Sequence, residues 1–289
     1  MTLKTDHSFH IGEQHLKTGK PCQDYALSGM LNDELAYAIV SDGCSSGGMT
    51  DIGARLMCLA TKQALIDHGI DTDTQLQTII TARDTILKQY QQTLGLDTRD
   101  LLATSMWAVA HKDWVFAHVT GDGVVVIKHK YDHIVHQLSW DKNMPYYPAY
   151  RIGDLNDSYR TAQTEATPFS HIEQGLAPIG QGGVREGIAR DLSLEEGIAG
   201  IVIDRGYDDY GDDYPGPIES ITLFSDGIEQ IDNVSYDDAA VGLTAFKSTS
   251  GQFATRRMNR FLQDTRKNGR GPQDDIAMAT IHLGRTDET

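Results

Sequence analysis

The chain has 289 residues, of which 25 are basic and 41 acidic, so its formal net charge is −16 at neutral pH. This excess of negative charge argues against binding to a nucleic acid, whose phosphate backbone attracts basic surfaces. No apolar run approaches the roughly 18 residues that a membrane-spanning helix needs, and the N-terminal residues lack the apolar stretch of a secretory signal, so we expect neither membrane insertion nor classical secretion.

The apolar pattern predicts one strand, two helices and then mostly strands. Residues 35–41 have a strand pattern, and apolar residues then recur at helical spacing over 51–68 and 74–94, with Arg83 interrupting the second stripe. Short segments separated by tight turns predict antiparallel strands at 105–111, 115–120, 124–129 and 134–140. Later strands are predicted at 200–204, 218–224 and 276–283, and later helices at 236–247 and 252–267. This order favours a layered α+β domain.

Residues 141–217 are the least regular part of the sequence. They contain several prolines and glycines, and we interpret them as an insertion and surface flap within one domain that spans residues 1–289. An acidic, turn-rich loop follows near the end of this region. Its acids between Asp208 and Asp213 could bind calcium, but they do not follow the EF-hand spacing, so a solvated loop is the preferred interpretation.

A basic cluster and the cysteines bear on partners and location. Basic residues gather over 256–270, and we interpret them as the solvated side of a helix rather than as a nucleic-acid site. The three cysteines cannot all pair within one chain, and they include no CxxC motif. A reducing compartment, the cytoplasm, fits this cysteine usage best.

An acid followed by glycine ends three of the apolar segments. A single Asp-Gly pair is typical of a turn. Because neighbouring strands end at one edge of a sheet, the repetition predicts that these carboxylates converge, with glycine allowing a cation or substrate close to the backbone. The acids concerned are Asp42 before Gly43, Asp122 before Gly123, Asp226 before Gly227, the pair Asp274-Asp275 before the last strand, and Asp24 after Pro-Cys-Gln.

Several carboxylates in one place repel one another and are costly to desolvate. A hard divalent cation removes both problems, and carboxylate and carbonyl oxygens suit Mg²⁺ or Mn²⁺ better than zinc. Two such ions, bridged by one carboxylate, can activate a shared water and neutralise a phosphoryl group. The residues alone therefore predict a metal-dependent phosphoryl hydrolase.

The ordered motifs PCQDY, VSDGCSSGG, TGDG, FSDGIE and QDDIA resemble those of the metal-dependent protein phosphatases, the protein phosphatase 2C or PPM family, in a bacterial-type branch. The resemblance implies a four-layer αββα sandwich of two antiparallel sheets flanked by helices. It also implies a Mg²⁺- or Mn²⁺-dependent phosphoserine/phosphothreonine protein phosphatase in which metal-activated water attacks phosphorus directly, in line. The substrate would then be a phosphorylated protein produced by a Ser/Thr kinase.

The resemblance assigns the catalytic acids as metal ligands. Asp42 matches the acid that bridges two ions, and the Gly43 carbonyl matches the backbone ligand beside it. Asp226 and Asp274 match ligands of the first ion, and Asp24 matches the acid that holds the second ion, partly through water. These residues imply two bound Mn²⁺ or Mg²⁺ ions.

Two further acids have supporting roles in the resemblance. Asp122 matches the acid that helps to hold a loosely bound third ion, although Gln230 stands where many members have an acid that supports this ion. Asp275 stands where the family often has Asn, and we expect it to orient the site rather than to bind metal.

Other positions depart from the family pattern. Cys44 stands where many members have a histidine that protonates the leaving group, and a thiol has a poor pKa for that task, so a metal-bound water, His15 or His10 could substitute. Gly19 stands where many members have an arginine that grips phosphate. Lys20 beside it can bind phosphate as a point charge, and His15 is a second candidate for this contact.

Two alternatives follow from these departures. Cys44 could be a nucleophile, but a reactive thiolate needs a cationic surrounding and its neighbours here are acids. The chain could also be a pseudophosphatase that serves as a metal-binding regulatory module or a phosphoprotein-binding module.

Overall fold

The computed structural model describes residues 2–69, 76–111, 114–163, 169–176, 198–203, 217–267 and 271–284. The acidic loop between Asp208 and Asp213, and with it the calcium hypothesis, lies outside these residues. The described strands are β1 (Lys4–His10), β2 (Tyr25–Met30), β3 (Ala36–Ser41), β4 (Ser105–His111), β5 (Trp114–Thr120), β6 (Gly123–His129), β7 (His133–Trp140), β8 (Phe169–Leu176), β9 (Ile198–Ile203), β10 (Ile218–Phe224) and β11 (Ile276–His282). The described α-helices are α1 (Glu13–Thr18), α2 (Thr50–His68), α3 (Leu76–Leu94), α4 (Ala149–Ile152), α5 (Asn156–Ala162), α6 (Tyr236–Thr244) and α7 (Phe253–Lys267).

The strands form two antiparallel sheets that pack face to face. The first sheet has the strand order β1-β11-β10-β6-β7-β8, and the second has the order β2-β3-β4-β5-β9. Helices α6 and α7 pack on the outer face of the first sheet, and α2 and α3 pack on that of the second. The α+β class and the four-layer αββα sandwich are therefore confirmed.

Sequence analysis did not predict three of the described strands, and all three lie at sheet edges. β1 and β8 are the outer strands of the first sheet, and β2 is an outer strand of the second. An edge strand is paired on one side only, so its sequence can remain polar, as the KTDHSFH of β1 shows. β8 also lies within the region 141–217, and it pairs with β7 along its full length of 8 residues. This part of the irregular region therefore belongs to the first sheet.

The two sheets meet through a mixture of small and large side chains. The second sheet contributes several alanines together with larger residues, and the first sheet contributes mostly branched side chains together with two alanines. Small residues next to large ones let two sheets interdigitate without voids. The core includes Ala36, Ala38, Val40, Met106, Ala108, Ala110, Val115, Ala117 and Val119 from the second sheet and Val125, Ile127, Ile221, Leu223, Ala277 and Ala279 from the first.

Helix α7 carries a group of charged side chains on its exposed face. On α7, Asp264 pairs with Lys267 at 3.0 Å and with Arg260 at 3.8 Å, all three on exposed side chains. This arrangement matches the predicted solvated helix face.

None of the described helices is both long and apolar enough to cross a membrane.

Arg83 interrupts the apolar stripe of α3 because it belongs to a buried ion network. Its side chain is fully buried, and Nε and Nη2 donate to Asp84 Oδ1 at 2.9 and 2.8 Å. Nη1 donates to Ser105 Oγ at 2.9 Å. Arg151 on α4 donates from Nε to the other oxygen of Asp84 at 2.9 Å. One carboxylate therefore compensates two guanidinium groups under the second sheet.

Replacing Asp84 tests this network. Asp84→Ala leaves a buried guanidinium without its carboxylate, and removing one partner of a buried pair costs about 3–5 kcal/mol. We expect the free energy of unfolding in urea to fall by about 3 kcal/mol. Asp67→Ala, on the exposed face of α2, is the matched control and should change it by less than about 0.5 kcal/mol. Equal effects of the two substitutions would show that the network is not stabilising.

Candidate functional site

The acids singled out in the sequence meet in one cleft where strands of both sheets end. Asp24 precedes β2, Asp42 follows β3, Asp122 lies in the turn between β5 and β6, Asp226 follows β10, and the Asp274-Asp275 pair precedes β11. The cleft has a volume of about 280 Å³. Its lining comprises His15, Gln23, Asp24, Asp42, Gly43, Cys44, Ser45, Ser46, Asp122, Lys142, Asn143, Pro145, Tyr147, Asp226, Asp274 and Asp275.

The backbone around Asp42 is fixed by Thr104, a residue that sequence analysis missed. The Asp42 N–H donates to Thr104 Oγ1 at 2.9 Å, and the Thr104 N–H donates back to the Asp42 carbonyl at 2.8 Å. At Gly43, a Cβ atom would lie 2.6 Å from the Thr50 carbonyl oxygen and 2.8 Å from the Gln23 carbonyl oxygen. Glycine is therefore required for the close approach of these chain segments.

Asp275 fastens the N-terminal segment to the cleft. Its carboxylate is 2% exposed. Oδ1 accepts from the Gly12 N–H at 2.7 Å, and Oδ2 accepts from the Gln23 N–H at 2.6 Å. His15 Nδ1 lies 2.8 Å from the same Oδ2. Both oxygens are thus occupied by donors from the segment that leads into Asp24.

Asp24 is held by a serine that directly precedes another cleft acid. Ser225 Oγ donates to Asp24 Oδ2 at 2.6 Å and accepts from the Ala277 N–H at 2.8 Å. The hydroxyl therefore links β10, β11 and the N-terminal segment. The only sequence signal for Ser225 is its position next to Asp226 in the FSDG motif.

Three of the predicted metal ligands are connected by short-range contacts. The carboxyl groups of Asp42 and Asp226 lie close together, and each shifts the pKa of the other. Gln230 Nε2 donates to Asp226 Oδ2 at 3.2 Å and to Asp274 Oδ2 at 3.4 Å. Asp226 thus lies beside Asp42 and is linked to Asp274 through an amide. The Asp275 N–H donates to the other Asp274 oxygen at 2.8 Å.

A different trio also brings metal-type donor atoms together. One atom each of His15, Asp274 and Asp275 lies within 4.8 Å of the others. An ion at this trio would compete with the hydrogen bonds that Asp275 accepts from the N-terminal segment. The acids of the remaining cleft wall have fewer donors to displace, so they are the better candidates for ligands.

Burial and mutual repulsion raise the pKa values of the cleft acids. For Asp24 and Asp42 the pKa lies well above its ordinary value, chiefly through burial and then through the charges of neighbouring acids. The pKa of Asp226 is raised for the same reasons. The pKa of Asp122 is raised to about 8, by burial and then by the charges of Asp226 and Glu229. The cleft therefore presents carboxylate oxygens whose negative charge is not fully compensated. Oxygen ligands of this kind suit Mg²⁺ or Mn²⁺.

The two side chains predicted to contact phosphate, Lys20 and His15, lie in different parts of the structure. Lys20 is absent from the described cleft lining, and its Nζ donates to the Ser45 carbonyl at 3.3 Å. His15 lines the cleft beside Asp275. Lys142 and Tyr147, which sequence analysis missed, also line it. They lie on the segment after β7, where the sequence shows no motif.

Cys44 lies on the wall of the acidic cleft, where its thiol contacts two uncharged side chains. Its Sγ is 3.2 Å from Ser46 Oγ, and the thiol contacts Tyr147. Neither neighbour is cationic, and a thiolate nucleophile needs a cationic surrounding. The geometry therefore argues against Cys44 as the nucleophile.

The structure is a sandwich of two antiparallel sheets with helices outside and an acidic cleft at the strand ends. The chain belongs to the protein phosphatase 2C family, because the family model described as "Protein phosphatase 2C" matches residues 11–269. A comparison with the sequences of curated proteins gives no match.

Solved bacterial phosphatases share this fold at low sequence identity. The S. agalactiae serine/threonine phosphatase has a TM-score of 0.57 and 12% identity, over 98% of this chain and 100% of its own. The serine/threonine phosphatase Stp1 from Staphylococcus aureus has a TM-score of 0.53 and 11% identity, over 99% and 96%. The phosphatase domain of SpoIIE from Bacillus subtilis, with a regulatory fragment, has a TM-score of 0.50 and 13% identity, over 97% and 64%. At these identities the likeness shows the fold alone.

The raised pKa of Asp122 predicts how the metal-free protein responds to pH. In the unfolded chain this acid ionises near 3.8, whereas in the folded protein it does so near 8. The folded state therefore binds more protons between these values, and its stability falls as the pH rises through this window. We expect the melting temperature in EDTA to be higher near the acidic end of the window than near pH 8.

Asp122→Asn is the control for this experiment. The amide cannot ionise, so the variant should lose part of the pH dependence. Mn²⁺ should stabilise the folded protein most at the alkaline end, because protons compete with the ion for carboxylates. A melting temperature in EDTA that stays flat across the window would contradict the raised pKa.

Proposed function

We propose that this protein is a Mg²⁺- or Mn²⁺-dependent protein phosphatase that acts on phosphoserine and phosphothreonine. The observation that carries the proposal is the cleft in which Asp24, Asp42, Asp122, Asp226 and Asp274 come together. Burial raises the pKa of each of the first four. A cluster of buried acids is costly unless cations compensate it. Membership of the protein phosphatase 2C family supports the same function.

The residues that would hold two ions are Asp24, Asp42, Asp226 and Asp274, with the Gly43 carbonyl. Asp122 would help to hold a third. When bound, the ions supply the activation of a water molecule and the neutralisation of the phosphoryl charge.

The chain's own groups hold these acids in position. Thr104 fixes the backbone of Asp42, and Ser225 orients Asp24. Asp275 holds His15 at the cleft wall. These contacts keep the carboxylates in place before any ion or substrate enters, which lowers the cost of organising the site.

Two proton-bearing side chains line the cleft near the position of Cys44. The pKa of Tyr147 is raised by burial and by the nearby Cys44, Asp122 and Asp42, so its hydroxyl stays protonated and can donate a hydrogen bond. The raised pKa makes Tyr147 a poor acid, so in this proposal its hydroxyl orients the leaving oxygen without protonating it. His15 is the second, and it replaces the histidine that the family resemblance leads one to expect at position 44, as the proton donor to the leaving oxygen.

The substrate in this proposal is a protein phosphorylated by a Ser/Thr kinase. The location proposed for it is the cytoplasm. Cys22, Cys44 and Cys58 are all free, and free cysteines suit a reducing compartment.

A hydrolysis assay on the full chain tests the function. We expect the purified protein to hydrolyse a small aryl phosphate and a phosphothreonine peptide in millimolar Mn²⁺, and EDTA to abolish the activity. Binding of Mn²⁺ in calorimetry without turnover on any phosphoester would instead indicate the pseudophosphatase. The absence of both would remove the proposal.

Asp42→Asn tests the bridging role. Turnover should fall by about a hundredfold or more, the usual scale for losing a central electrostatic group. The melting temperature in EDTA should stay the same or rise, because a repelling carboxylate is removed. Asp33→Asn, in an exposed turn, is the matched control with unchanged activity. Activity of Asp42→Asn within a few-fold of the wild type would refute the assignment.

Asp122→Ala tests the third-ion role separately. The substitution should lower turnover while two ions still bind tightly, since the ligands of the first two ions are intact. Calorimetric titration with Mn²⁺ measures the number of sites. Loss of all metal binding in this variant would show that Asp122 belongs to the primary ion pair.

A further inference from the structure

The acids that line the cleft repel a negatively charged substrate. A phosphomonoester enters as an anion, and six of the described lining residues are aspartates. Bound ions would neutralise the carboxylates, and a protein cation can add a charged hydrogen bond to the phosphate. The residue at the arginine position of the family resemblance is Gly19. Lys20 beside it does not line the described cleft, and its Nζ donates to the carbonyl of Ser45, a lining residue.

Lys142 is the lysine among the described residues that line the cleft. It lies in the short 3-10 turn Asp141–Asn143 that directly follows β7. Its side chain is 50% exposed, and Nζ lies 3.6 Å from Asp141 Oδ2, a loose contact with an exposed neighbour. Such a contact is weak in water and can give way to a doubly charged ligand.

The turn that carries Lys142 is strained and anchored. Lys142 has φ 56° and Asn143 has φ 52°, so two consecutive residues with side chains occupy the left-handed region. Such conformations are costly and persist where the surroundings fix them. Here Trp140 Nε1 donates to the Gly121 carbonyl at 2.8 Å, next to the cleft acid Asp122. On the other side Tyr146 is buried. The two anchors place the turn at the cleft.

We infer that Lys142 is the protein side chain that binds the phosphate group of the substrate, in place of the arginine missing at position 19. The inference rests on the proposed phosphatase function. The ammonium contacts a non-bridging phosphate oxygen as a point charge. Lys142 is a binding residue in this role and takes no part in the chemical step.

The test is a comparison of four variants with phosphothreonine peptide and inorganic phosphate. Lys142→Gly removes the ammonium and suits the left-handed backbone, so it should fold at least as well as the wild type. We expect it to raise KM and the inhibition constant of inorganic phosphate by about tenfold, the scale of one charged hydrogen bond, with kcat nearly unchanged. Lys142→Arg should restore most of the affinity.

The other two variants are controls on nearby lysines. Lys17→Ala removes an exposed lysine that pairs with Glu13 and should leave both constants unchanged. Lys20→Ala tests the rival cation. If Lys142→Gly behaves like Lys17→Ala, or if Lys20→Ala alone raises both constants, the inference is overturned.

A calorimetric measurement separates this inference from the proposed function. Inorganic phosphate is titrated into the Mn²⁺-loaded wild type and Lys142→Gly proteins, with no turnover required. Binding that is about tenfold weaker in the variant supports the assignment of Lys142 even if the protein hydrolyses no phosphoester. Equal binding overturns it even if the wild type is an active phosphatase.

Discussion

The mutual repulsion of carboxylates gathered at the strand ends is the constraint on which the site depends. Asp42 and Asp226 lie close together, and Gln230 donates to both Asp226 and Asp274. Neutral donors thus hold the acids together without a full counter-charge. This compensation is partial, so the gathered carboxylates lower the stability of the folded chain. In the proposed function, the same imbalance would favour the binding of divalent cations.

The scaffold tolerates this cost because its rigid parts lie immediately behind the acids. Thr104 ties Asp42 to β4, and Ser225 ties Asp24 to β10 and β11. Asp275 fastens the N-terminal segment to the same place through buried hydrogen bonds. Acids so far apart in the chain could not stay together on flexible loops, since like charges would drive them apart. The packed core of the two sheets holds the strand ends, and with them the acids, in position.

Sequence reasoning reached the acids because their pattern is local. Each Asp-Gly pair follows an apolar strand, so the sequence pattern located the acids. Asp42 follows β3 of the second sheet and Asp226 follows β10 of the first, so their convergence depends on how the two sheets pack, which the sequence pattern does not encode. The edge strands escaped because β1 is polar. Lys142 and Tyr147 escaped for a different reason. Their place at the cleft depends on how the segment after β7 folds back, and no periodicity encodes that path.

The two departures from the family pattern converge on that same segment. Cys44 replaces a histidine, and the tyrosine that contacts its thiol, Tyr147, comes from the stretch after β7. Gly19 replaces an arginine, and the lysine that lines the cleft, Lys142, comes from the same stretch. A hydrogen-bond donor and a cation are thus both present on the segment after β7. Trp140 Nε1 donates to the Gly121 carbonyl, so the start of this segment is fastened next to Asp122. In the proposed function, these two groups would supply a hydrogen bond and a positive charge that the residues at the motif positions do not.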